Sequence, residues 1–244
     1  MKRLPHMSQN FLRSPQKVAE LVGMAGLSLN DTVYDIGAGS GVITSVLARR
    51  TRHVIAIEYE PQTVEILRRN LKNIPNVEVR QIDALTVDFG SEPYKVFANI
   101  PFHISSPLVR KLTENEQAPE AAYLIVQKQF AYKLLIEKDG FTSALGAVIA
   151  PWFTARVRTH LRRTDFWPHP AVDTVLLELR PRDVSLLDIA VRSSYRALIE
   201  RCFADIKYFR KLVELHPIVA MQTPPSRLKT AHWVELFRRT HGAS

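Results

Sequence analysis

Three carboxylates and one amide recur at comparable places in the first hundred residues: Asp35, Glu58, Asp83 and Asn99. Each stands at the carboxyl end of a short apolar run. Asp35 opens the turn Asp35-Ile36-Gly37-Ala38-Gly39-Ser40-Gly41, where glycines such as Gly37 and Gly39 let the backbone bend sharply and a ligand approach closely. Glu58 follows about 20 residues past the turn, where its carboxylate can accept from both ribose hydroxyls of a nucleoside. Asp83, with Ala84 beside it, is placed to meet an adenine edge. A glycine-rich turn alone is shared with dinucleotide-binding folds and hence with nicotinamide-dependent dehydrogenases. Pyrophosphate, however, needs donors at a helix N-terminus and is repelled by acids. Three carboxylates suit a cationic sulfonium and an ammonium better.

Asn99-Ile100-Pro101-Phe102 follows the next apolar run. An adenine amine is a poor nucleophile because its lone pair is delocalised into the ring. Acceptors for its two N–H bonds, the Asn99 side-chain oxygen and a backbone carbonyl of Ile100 or Pro101, free that lone pair. Pro101 removes a competing donor and stiffens the loop. Phe102 offers a flat face for a base, worth about 1–3 kcal/mol. A strong general base is unnecessary for attack on a methyl whose leaving group is a cationic sulfur, and alignment supplies much of the rate.

The elements that must hold these residues alternate. Strands are expected at Thr32–Ile36, His53–Ile57, Val77–Ile82 and Lys95–Ala98, with helices at Gly41–Arg50 and Pro61–Lys72 between them. This spacing predicts an α/β fold, a mostly parallel sheet with helices on both faces. A helix follows over Pro107–Leu112, with Ser105-Ser106 as caps and Pro107 at its first position. Then come a strand at Ala121–Gln127, a helix at Phe130–Glu137, and strands at Ala144–Phe153 and Val172–Arg180. Beyond Pro181 only helices are predicted: Ser185–Ala204, Tyr208–Leu215 and Lys229–Thr240. The expected division is residues 1–180 as a cofactor-binding catalytic domain and 181–244 as a small helical, basic, RNA-binding one.

The 244 residues carry 33 Lys and Arg against 24 Asp and Glu, a net charge of +9, and such a field favours polyanions. Residues 181–244 hold eleven basic against six acidic residues, and the first 17 hold four basic residues and no acid. Arg156, Arg158, Arg162 and Arg163 cluster between these ends, either along an RNA path or at a solvated strand edge. The basic start, Met1–His6, is not followed by an apolar run of signal length, and no run approaches the ~20 residues needed to span a bilayer. Cytoplasm is the expected location, with no membrane partner. The lone Cys202 reads as a small core residue and a poor metal ligand, so no metal is expected.

From Ser8 to about Pro181 the chain resembles the Erm family, which methylates one adenine of large-subunit (23S) ribosomal RNA and confers resistance to macrolides, lincosamides and streptogramin B. The resemblance implies a Rossmann-like class I methyltransferase sheet with a small C-terminal helical domain, S-adenosyl-L-methionine as cofactor, naked or pre-assembly 23S rRNA as partner, and a monomer. It implies that Gln9, Asn10 and Leu12, within Gln9-Asn10-Phe11-Leu12, close over the methionine end of the cofactor. Asp35 to Gly41 matches the glycine loop, Glu58 the ribose-binding acid, Asp83 the residue at the adenine ring, and Asn99–Phe102 the catalytic tetrapeptide. Phe166-Trp167-Pro168-His169-Pro170-Ala171-Val172 resembles a late family motif, by which Phe166 would stack on the target base opposite Phe102. Phe102 stands where many relatives have Tyr, and Asp35 where Glu is frequent.

His103 reads as an exposed loop histidine, because the chemistry needs no base there. Trp152 and Trp233 read as packing residues. The KsgA class of small-subunit rRNA adenine dimethyltransferases shares fold, cofactor and chemistry; Ile100, Phe102 and the glycine loop look more like Erm. A nucleic-acid-binding factor on the same fold, without catalysis, is the alternative from a different class.

Overall fold

A computed structural model describes residues 11–12, 14–115, 117–136 and 141–242. The chain divides into two compact units, the first running to Lys128 and including Arg156–Arg180, the second formed by Gln129–Ala155 and the residues from Pro181 on. The observed division therefore differs from 1–180 and 181–244: Gln129–Ala155 groups with the C-terminal residues.

In the first unit the elements are β1 (Phe11–Leu12), α1 (Pro15–Gly23), β2 (Thr32–Ile36), α2 (Val42–Ala48), β3 (His53–Glu58), α3 (Pro61–Leu71), β4 (Val77–Gln81), β5 (Lys95–Asn99), α4 (Ser105–Glu114), β6 (Ala121–Gln127), β7 (Phe153–Leu161, its first residues shared with the second unit), β8 (Phe166–Trp167) and β9 (Thr174–Pro181). Seven strands form one sheet in the order β4-β3-β2-β5-β6-β9-β7. Strands β4 to β6 run parallel, and β9 returns antiparallel to β6. A parallel strand joined by a crossover helix returns to the same edge, so the carboxyl ends of β2, β3, β4 and β5 gather together.

Local chemistry explains the helices. Ser14 caps α1 by accepting from Lys17 N–H at 3.3 Å, and Pro15 starts the helix. Val18, Leu21 and Val22 then bury one face, the spacing expected of an amphipathic helix. This helix is additional to those the sequence predicts. In α3, Pro61 occupies the first turn, and Val64, Leu67 and Leu71 form the buried stripe.

Several boundaries depart from expectation. Ser105 and Ser106 are not caps: α4 begins at Ser105, fed by a 3-10 turn over Phe102–Ile104, and Pro107 falls inside its first turn. Ala144–Phe153 is not a strand. Ser143 accepts from Gly146 N–H at 3.1 Å and starts helix Ala144–Ile149. The run is buried from Leu145 on, and an apolar segment with no exposed face carries no period by which strand and helix can be told apart. The strand lies later, as β7 at the sheet edge. There Arg156, Arg158 and Arg180 surround Glu178 at 3.3, 3.5 and 2.9 Å, with the carboxylate buried and Arg180 also donating to the Tyr123 hydroxyl at 2.9 Å.

The second unit contains α5 (Lys128–Tyr132), α6 (Ala144–Ile149), α7 (Arg192–Ala204), α8 (Ile206–Leu215) and α9 (Thr230–His241). The segment before α7 is a 3-10 turn at Ile189–Val191 rather than an extension of the helix to Ser185. Its core is aromatic: Trp152 meets Tyr195 edge-on at 5.4 Å, Tyr195 meets Phe237 at 5.4 Å, and Phe203 stacks on Trp233 at 5.8 Å. Cys202 is buried here, which pushes its thiol up to about 12. No helix among the described residues is long and apolar enough to cross a membrane.

Candidate active site

The carboxyl edge of the parallel strands opens into a cavity of about 420 Å³, lined among others by Gly37, Glu58, Asp83, Ala84, Ile100 and Pro101. That volume lies within the range of small-ligand sites. Three carboxylates line it, Glu58, Glu60 and Asp83, and among the described residues no Lys or Arg does. A doubly anionic pyrophosphate would find neither a cationic partner nor relief from those acids. A ligand with a cationic centre meets the opposite field.

Glu58 is 4% exposed at the end of β3. Its Oε2 accepts from Gly39 N–H at 3.0 Å, and its Oε1 from Tyr59 N–H at 2.9 Å and Glu60 N–H at 3.2 Å. A carboxylate has about four acceptor positions, so the side chain that faces the cavity also ties down the glycine loop. That loop needs its glycines: Gly39 has φ +58°, and Phe11 lies so near that a β-carbon would meet its Cε1 at 3.1 Å. At Gly41, φ is +88° and a β-carbon would meet Leu67 Cδ1 at 2.9 Å. Asp83 Oδ1 accepts from Leu85 N–H at 2.8 Å, which shapes the turn after β4.

Asp35 does not line the cavity. It is wholly buried behind the loop, where its Oδ2 accepts from the Thr44 hydroxyl at 2.6 Å and its Oδ1 has no partner. Burial pushes its carboxyl up to about 7, opposed by the Thr44 hydrogen bond and reinforced by the charge of Glu58. The third acid facing the cavity is Glu60 instead. Its signal in the sequence was only its place two residues beyond Glu58.

Of the tetrapeptide, Ile100 and Pro101 line the cavity, while Asn99 and Phe102 flank them without being among its lining residues. Asn99 ends β5, and its carbonyl oxygen would lie 3.6 Å from a β-carbon on Gly37. Pro101 O accepts from Ile104 N–H at 3.1 Å. Phe102 is half-buried at the start of the 3-10 turn. Tyr59, Thr63 and His103 also line the cavity without a role expected from sequence; Tyr59 adjoins Glu58 and His103 adjoins Phe102, whereas Thr63 lies in the first turn of α3.

Phe166 is not poised over the cavity. It is 1% exposed and packs in the core with Leu12, Val18 and Leu161, because β8 pairs with β1 and sets Phe166 opposite Leu12. Leu12 itself is 7% exposed in that core and is not among the residues lining the cavity. Gln9 and Asn10 lie outside the described residues.

Comparison with known proteins bears on this geometry. The family model described as ribosomal RNA adenine dimethylase matches residues 2–214. An rRNA adenine N-6-methyltransferase of Saccharopolyspora erythraea is 32% identical over 246 residues, covering 95% of this chain and 64% of that protein. A probable ribosomal RNA small subunit methyltransferase A of Thermococcus kodakarensis is 37% identical over 177 residues, 72% of this chain and 62% of that one. The chain thus spans a little under two thirds of the length of both relatives. The crystal structure of 23S rRNA methyltransferase ErmE superposes with a TM-score of 0.81 at 30% identity, covering 94% of this chain and 99% of that one. A dimethyladenosine transferase from Plasmodium falciparum gives 0.75 at 22% identity over 96% and 98% of the two chains, a likeness of fold.

Proposed function

This chain belongs to the ribosomal RNA adenine dimethylase family, and from that premise we propose that it transfers methyl from S-adenosyl-L-methionine to the exocyclic N6 of an adenine in 23S rRNA. The carrying observation is the cavity itself, which among the described residues is lined by three carboxylates and no Lys or Arg, together with Ile100 and Pro101.

The residues present fit the cofactor. Glu58 faces the cavity with acceptor capacity left on Oε2 for a ribose hydroxyl, Asp83 and Ala84 line the part assigned to the adenine, and the glycine loop leaves room for close approach. When bound, the cofactor supplies an electrophilic methyl on a sulfonium. The protein's part is to present the nucleophile. Asn99 accepts one N–H of the target amine through its side-chain oxygen. A backbone carbonyl of Ile100 or Pro101 accepts the second, the Pro101 oxygen with one of its two lone pairs already engaged by Ile104 N–H. Together they draw the nitrogen toward tetrahedral geometry, while Phe102 holds the base by its face.

The large-subunit target is supported by the likeness to ErmE over nearly the whole chain, with the character of Ile100, Phe102 and the glycine loop. On this reading the protein acts as a cytoplasmic monomer on naked or pre-assembly RNA, and its product confers macrolide, lincosamide and streptogramin B resistance. Labelled methyl transfer to purified, protein-free 23S and 16S RNA tests the target. Label in the large-subunit RNA alone is expected; label confined to 16S RNA would establish the KsgA-type activity instead. Tight RNA binding without transfer to either would point to a non-catalytic factor.

A further inference from the structure

The short ladder of β1 and β8 pairs Phe11 with Trp167 and Leu12 with Phe166. Side chains alternate across a strand, so the pairing sorts the four residues into two faces. Leu12 and Phe166 enter the core, whereas Phe11 is 40% and Trp167 61% exposed. Phe11 and Trp167 are thus cross-strand partners on the outer face, and Phe11 lies against Gly39 of the glycine loop. Trp152 and Trp233 are both buried, so Trp167 is the one tryptophan presented to solvent.

The indole is also braced. His169 packs edge-on against it at 5.9 Å and 83°, and His169 Nδ1 lies 2.9 Å from the Arg163 carbonyl oxygen. Arg162 and Arg163 are exposed nearby in sequence. The ion pair of Arg163 with Asp173, at 3.4 Å between two largely exposed side chains, is too weak to neutralise that charge toward a polyanion. An indole held in place and exposed, braced by a histidine that is itself tied to the backbone of an exposed arginine, matches the combination that binds unpaired nucleic acid: a stacking face with cations close along the chain.

We propose that Trp167 is a stacking platform for an unpaired RNA base next to the target adenine. The inference rests on the RNA substrate proposed above and adds a second base contact. Extracting the target adenine from its stack leaves its neighbour without a partner. Phe102 sits between the cavity-lining Pro101 and His103, whereas Trp167 lies on the outer face of the β1–β8 ladder and neither it nor its neighbours in sequence line the cavity, so Trp167 takes that neighbouring base rather than the reacting one. Stacking has no sequence requirement, because every base has a flat face.

Trp167 also supplies the readout. An RNA hairpin with an unpaired adenine in its loop is expected to quench the protein's tryptophan emission, and a fully paired duplex of equal length to do so far less. Trp167→Leu keeps an apolar side chain without an aromatic face; it should weaken hairpin binding about tenfold and leave duplex and S-adenosylhomocysteine affinity unchanged. Trp167→Phe should keep hairpin binding within about threefold of the parent. If the parent binds the hairpin and Trp167→Leu binds it equally well, the platform is refuted while the RNA substrate stands. If the parent binds no RNA, both fall.

Discussion

Glu58 Oε2 accepts from the backbone N–H of Gly39 at 3.0 Å, joining the end of β3 to the glycine loop after β2. The bond couples two parts of the proposed cofactor site that are far apart in sequence. The same carboxylate receives the N–H groups of Tyr59 and Glu60, so it organises the cavity edge as well as facing it.

Glu58→Ala is therefore expected to have two effects. It removes the ribose acceptor and leaves three backbone donors without their partner. S-adenosylhomocysteine affinity by calorimetry should fall at least tenfold, and the folded state should lose on the order of 2 kcal/mol, given ~1–3 kcal/mol for an unsatisfied buried group. Unchanged affinity would remove Glu58 from the cofactor site.

Asn99→Ala and Phe102→Ala should separate binding from chemistry. The first deletes the proposed side-chain acceptor for the amine, so turnover should drop by about a hundredfold or more with cofactor affinity nearly unaltered. The second removes a stacking face, so RNA turnover should suffer more than cofactor binding. Near-normal turnover in the asparagine variant would contradict the amine-polarising role. Equal loss of both properties in the phenylalanine variant would indicate collapse of the site.

Asp35 predicts a pH signature. Its carboxyl is raised from an ordinary 3.8 to about 7, so between these values the folded protein holds a proton that the unfolded chain has released. Its contribution to stability must fall as pH rises from ~4 through ~7 and level off above. Asp35→Asn abolishes that slope. Relative to the parent, the variant should gain on the order of 2–4 kcal/mol between pH 4 and pH 8. Denaturant melts at the two pH values give the difference, from which any pH-independent packing effect cancels. Parallel behaviour of the two proteins would mean that Asp35 is ionised throughout.

Glu178 is the shared partner of Arg156, Arg158 and Arg180. Glu178→Ala leaves three like charges around an empty buried position and should destabilise by about 3 kcal/mol, as when one member of a buried ion pair is removed. Arg156, 64% exposed along its side chain, should cost under about 1 kcal/mol when replaced by Ala. Urea denaturation distinguishes the two, and equal losses would mean that the cluster does not share its carboxylate as drawn.

The amino-acid sequence by itself determined the parallel strands and the place of Glu58, Asp83 and Asn99 at their ends, because runs of β-branched residues, glycine turns and proline-led helices are local signals. Once the strands are parallel, chain connectivity alone brings those ends to one edge. The tertiary structure decided which side chains face the ligand. Asp35 turns inward to Thr44 while Glu60 reaches the cavity, a choice made at the scale of a single residue by what packs behind the loop. The pairing of β1 with β8, between segments far apart in the chain, likewise buried Phe166 and exposed Trp167. One step of register exchanges the two faces of a strand, and no short-range pattern records which partner will be met.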